Sequence, residues 1–222
     1  MSFFKIHIIR RLYVFILSIL LFGLFWGTQS QMDQFYVVTV LEGATVYIFA
    51  FITGFVLSNQ CEVEMCKCYG LKLSKLLTAQ ILPIFVFSVM CCVPGILLYN
   101  ANSMNFLMRM QLVISFNITL AFVMAFVAFI RSLIRNTYAV LGFVMILFFQ
   151  AFQFHDLCKN KLIPSEMLVL DPVLSAMMFQ PDRWSIDNSV WWTNRALYFG
   201  IAVIMYVCAC YIVNKRSFED LK

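Results

Sequence analysis

The sequence predicts an all-α membrane protein with six transmembrane helices, and three observations predict it. Hydrophobic residues make up 63% of the 222 positions and charged residues only 12%, about half the charged share of a soluble domain. Five apolar runs are long enough, or nearly so, to cross hydrocarbon of ~30 Å, which takes roughly 20 helical residues; a sixth is shorter but carries the right flanks. The basic residues gather in short clusters beside alternate runs, where they set topology. The 24 phenylalanines and 13 methionines fit lipid-facing and helix-packing surfaces. No continuous basic face with interleaved aromatics occurs, so the net charge of +5 does not point to nucleic acid.

The first apolar run extends from Leu12 to Trp26 behind Lys5, His7, Arg10 and Arg11. A basic head on such a run also describes a signal peptide, but Gly27-Thr28-Gln29-Ser30 is a poor cleavage site, so an uncleaved first span is expected. Phe3 to Arg11 alternates apolar and basic residues at roughly helical spacing, which suits an N-terminal helix lying in the membrane interface. The second span is expected at 35–57 and the third at 76–98, the latter containing Pro83 and Pro94. The fourth is expected at 106–130, the fifth at 138–154 and the last at 196–213, all within a single transmembrane domain covering 1–222. Between the last two, Leu162 to Leu170 and Val173 to Phe179 suit two short helices broken by Asp171-Pro172. Trp184, Trp191 and Trp192 suit an interfacial aromatic belt there.

Counting lysine and arginine in short flanks places both termini in the cytoplasm. Lys67, Lys72 and Lys75 fall between spans two and three, Arg131 and Arg135 between spans four and five, and Lys215 and Arg216 after span six. Gly27 to Gly43 has neither residue type, and Tyr99 to Arg109 has Arg109 alone. Of the eight cysteines, Cys91, Cys92, Cys208 and Cys210 fall inside apolar spans, while Cys61, Cys66 and Cys68 share the inner loop, where thiols stay reduced. Cys158 is expected alone in an outer loop.

The sequence contains no Gly-x-x-x-x-Gly-Lys-Ser/Thr phosphate loop, so any use of ATP requires another chain. No paired catalytic residues stand out; His7 and His155 fall on opposite sides of the expected membrane. The spans hold almost no ionisable residue apart from Glu42 and Arg109, unlike an ion-coupled transporter. The inner loop from Asn59 to Lys75 carries acids first, Glu62 and Glu64, and bases later, Lys67, Lys72 and Lys75, an order that suits a short helix and its macrodipole. Gly70 suits the end of that helix.

In this order and spacing the chain resembles a permease subunit of an ABC transporter of the type-2 exporter class. The likeness rests on the basic N-terminal segment, six spans, the acidic loop leading into Gly70-Leu71-Lys72-Leu73-Ser74-Lys75, the Leu170-Asp171-Pro172 step, Trp192-Thr193-Asn194-Arg195 at the last span, and the tail Lys215-Arg216-Ser217-Phe218-Glu219. The resemblance implies a cytoplasmic coupling helix that docks on an ATPase subunit, with Glu62, Glu64, Lys67, Tyr69, Gly70, Lys72 and Lys75 as its residues. It implies re-entrant helices closing the outer side between spans five and six, with Asp171, Pro172, Trp192, Asn194 and Arg195 as an outer gate. It also implies two permease and two ATPase subunits in a bacterial inner membrane, no cofactor in this chain, and ATP and magnesium on the partner. The cargo would be hydrophobic or amphipathic: a peptide (antimicrobial peptides included), a drug or a lipid. Three cysteines in the coupling loop and aspartate before the outer proline depart from the family pattern. The competing reading is a non-transporting scaffold or sensor that uses the inner loop to recruit a cytoplasmic partner.

Overall fold

A computed structural model describes residues 16, 43, 45–57, 70, 72–98, 106–134, 136–162, 164–174 and 188–215. Their regular structure is all helical, with no strand among them. The α-helices are α1 (Val46–Val56), α2 (Leu73–Leu98), α3 (Phe106–Leu133), α4 (Thr137–Lys159) and α5 (Asn188–Lys215), with a 3-10 helix at Ser165–Leu170 between the last two. Four helices, α2 to α5, are long and apolar enough to cross a membrane. The expected first span and interfacial helix lie outside the described residues, apart from Ile16, and α1 is the described part of the expected second span.

The expected spans and the helices differ most at their polar ends. α3 runs on to Leu133, α4 reaches Lys159, and α5 begins at Asn188 rather than near 196. The added turns carry polar residues, and of these His155, Asn194 and Arg195 find partners inside the bundle, so a hydropathy limit underestimates the helices. α2 continues through Pro83 and Pro94.

α3 is the central helix and packs against each of the other four, most extensively against α5. Its buried positions include Ser115, Thr119, Ala125 and Ala128, small side chains that let neighbouring backbones approach. α5 answers with Ala202 and Ala209, both buried. Larger side chains fill the remaining space: Phe116, Leu120 and Val123 from α3, Phe49 from α1 and Ile84 from α2. Phe122 meets Tyr198 edge-on at 4.8 Å between ring centroids.

Described basic residues occur at both ends of the bundle, described carboxylates at one. At one end, Ser74 N–H donates to Asn214 Oδ1 at 3.2 Å, tying the start of α2 to the end of α5. Arg131 donates through Nε to the Leu57 carbonyl and through Nη1 to the Ile134 carbonyl. Asn136 caps α4 there, its Oδ1 accepting from Tyr138 and Ala139 N–H. The three described carboxylates, Asp156, Glu166 and Asp171, all belong to the other end, with the close of α4 and the 3-10 helix.

Candidate functional site

α4 ends in a turn that sends the chain back toward the bundle. Leu162 N–H donates to the Leu157 carbonyl and Lys161 N–H to that of Cys158, both at 3.0 Å. This pair of hydrogen bonds is a Schellman motif, and it holds Lys161 in the left-handed region at φ 56°. Pro164 then opens the 3-10 helix. Proline at 172 pushes Asp171 into an extended conformation (φ −72°, ψ 116°), which ends that helix. The Asp171 side chain turns onto its own backbone, Oδ1 accepting from Val173 N–H at 2.9 Å.

The resulting turn presents four consecutive carbonyls, and α5 side chains donate to all four. Asn194 Nδ2 donates to Val169 O at 2.7 Å and to Asp171 O at 2.9 Å. Tyr198 OH donates to Leu170 O at 2.7 Å, and Arg195 Nη2 to Pro172 O at 3.4 Å. Arg195 also donates through Nε to Asn194 Oδ1 at 2.7 Å, which orients that amide, and through Nη1 to Thr119 Oγ1 on α3 at 2.9 Å. From α4, His155 Nδ1 lies 2.8 Å from Asp171 Oδ2. Buried peptide carbonyls require such partners, since burying a polar group without one costs about 1–3 kcal/mol.

Arg195 is 1% exposed, His155 2%, and Asp171 and Asn194 0%. This clasp therefore joins α3, α4, α5 and the turn through a buried centre, with the Tyr198–Leu170 bond at its exposed edge. Its apolar wall is a cluster of Cys158, Leu174 and Trp191. A cleft of about 430 Å³ opens beside it, lined by Tyr47, Phe122, Gln150, Gln153, Leu170 and Pro172 among others, with no charged side chain among the described lining residues.

Of the residues expected at an outer gate, Asp171, Pro172, Asn194 and Arg195 come together in the clasp. Trp192 does not: its neighbour Trp191 is buried against the turn, while Trp192 is 52% exposed and meets Trp191 edge-on at 4.7 Å. Cys158, expected in a loop, sits in the last turn of α4 and is buried. His155, Thr119 and Tyr198 belong to the clasp and carry no local signal in the sequence. A histidine sixteen positions from its aspartate gives no periodicity to detect. The second stretch of the expected outer helix pair, beyond Leu174, lies outside the described residues.

Glu62, Glu64, Lys67 and Tyr69 of the expected coupling segment also lie outside the described residues. Gly70 adopts φ 59°, a left-handed conformation that glycine takes without a Cβ penalty. Lys72 and Lys75 flank the start of α2, and both are exposed. Comparison with protein-family models, with curated proteins and with solved structures finds no match to this chain.

Proposed function

We propose that the chain is the membrane-spanning permease subunit of an ATP-driven exporter of the ABC type-2 class. In this reading it crosses a bacterial inner membrane six times, with the end that carries Lys72, Lys75, Arg131 and Lys215 and both termini in the cytoplasm. A separate ATPase grips the connector from Glu62 to Lys75, and a second permease subunit completes the pathway. The observation that carries the reading is the fastened turn between α4 and α5. Non-helical backbone at membrane depth is tolerated only where protein satisfies its polar groups. A turn whose four carbonyls are taken up by α5 has the chemistry of a re-entrant closure on the outer side. The adjoining cleft, whose described lining is apolar with two glutamine amides and no charge, fits a cargo that is hydrophobic or amphipathic.

The experiment is co-purification. The chain solubilised from its native membrane is expected to bring down a soluble ATPase. Glu62→Ala with Glu64→Ala is expected to weaken that association or uncouple the ATPase from the membrane subunit. A stable chain recovered with no ATPase in several detergents overturns the proposal.

A further inference from the structure

We infer that the outward stripe of α4 is the surface on which a second copy of this chain docks, with the Gln153 amides of the two copies paired across a two-fold axis. The inference identifies the second permease subunit of the proposed function as an identical chain, and it rests on that reading only in requiring α4 to cross a bilayer. Tyr138, Gly142, Ile146, Phe149 and Gln153 follow one another at intervals of four, four, three and four residues, so they fall on a single helix face. All five are exposed. The opposite face, with Val140, Val144 and Ala151, is buried in the bundle. From Gly142 onward the intervals are those of the seam between two helices that cross at a shallow angle.

Lipid alone can cover Ile146 and Phe149, but Gln153 calls for a polar partner. The span runs from Thr137 to Cys158, which puts Gln153 about 8 Å inside its end at the helical rise. Its side chain makes no hydrogen bond among the described residues, and an amide left unbonded in hydrocarbon is costly. An amide is complementary to itself, since its NH₂ donates to the carbonyl of an identical group and accepts the reverse bond. In a two-fold pair a residue near the axis faces its own counterpart, so an amide is satisfied there where a charge would be repelled. Gly142 lies three turns away on the same face, and a Cβ there would meet nothing within 4 Å, so a second helix can approach its backbone closely. The expected first span of the same chain, Leu12 to Trp26, offers neither an amide nor a charge and is the poorer match. Asp156, the next position of the repeat, sits in the last turn of α4, where water screens it from its copy. Gln150 and Gln153 also line the cleft beside the clasp, so a copy seated on the stripe completes the wall of that cleft.

The full chain reconstituted alone in palmitoyl-oleoyl phosphatidylcholine vesicles tests this. No ATPase is present, so failure counts against the shared surface and leaves the co-purification result standing. Under a mild oxidant, Gln153→Cys is expected to give a dimer joined between the two copies of position 153, mapped by peptide mass spectrometry. Val203→Cys, on the exposed face of α5, is expected to give none through its own position. Förster transfer between labelled chains, followed as lipid is added, is expected to show association weakened roughly tenfold in Gln153→Leu, the worth of one interhelical amide pair. Gly142→Phe, which has open space in its own chain, is expected to weaken association at least as much, with the thermal midpoint unchanged in both variants. No dimer through position 153, equal cross-linking through 203, or unchanged association in Gln153→Leu overturns the inference. A disulfide within one chain between Gln153→Cys and Ser18→Cys, in place of the dimer, also overturns it, since the first span would then cover the stripe.

Discussion

Arg195 is the residue on which the clasp turns, because one guanidinium reaches three partners on three segments: Asn194 Oδ1, Thr119 Oγ1 and Pro172 O. Replacing it by methionine keeps much of the side-chain volume and removes every donor. Arg195→Met is expected to destabilise the chain by about 3 kcal/mol, the range for leaving a buried polar network without its charged member, read as a lower midpoint in thermal denaturation in detergent. Trp192→Ala, at a half-exposed ring on the same helix, is the control and is expected to shift the midpoint far less. His155 and Asp171 make a second test: a double-mutant cycle with His155→Gln and Asp171→Asn is expected to return a coupling energy of about 1–3 kcal/mol, and additivity would show that their contact carries no energy. Lys161 offers a change in the opposite direction. Held at φ 56°, it carries a Cβ that the left-handed region disfavours, so Lys161→Gly is expected to stabilise the Schellman turn by about 0.5–1 kcal/mol.

Helices are the level at which the sequence was most legible. Apolar runs of the right length announce α2, α3, α4 and α5, since hydropathy depends on composition and needs no knowledge of partners. Their ends were less legible because Asn188, Asn194 and Arg195 look like the polar flank of a span, whereas the fold buries two of them against the 3-10 helix and α3. The Asp171-Pro172 break was readable from proline chemistry alone. The four carbonyls that it leaves for α5 were not, because they depend on a contact more than twenty positions away. Close packing of α1 on α4 was equally hidden. A Cβ at Gly54 would lie 2.9 Å from Leu141 Cδ2, the end of a flexible side chain. Gly54→Ala is accordingly expected to be tolerated after a small shift of Leu141. Gly54→Leu is expected to cost about 1–3 kcal/mol by overpacking, measured by the same thermal assay.

Across the whole bundle, the described carboxylates mark one end, where Arg109, Lys159, Lys161 and Arg195 also lie, while Lys72, Lys75, Arg131 and Lys215 belong to an end with no described carboxylate. With the latter end inside the cell, a cysteine replacing Glu166 is expected to react with an impermeant maleimide in intact cells, and one replacing Lys72 to react only after the membrane is permeabilised. The reverse pattern would invert the proposed orientation and remove the ATPase grip with it. The clasp also has a consequence for how the molecule is made. Synthesis delivers residues 169–172 before any part of α5 exists, so the donors of Asn194, Arg195 and Tyr198 are missing at that moment. The turn can be fastened only once α5 has followed, so docking of α5 is a late step in folding of the described bundle, and a chain halted before Asn188 would lack these bonds.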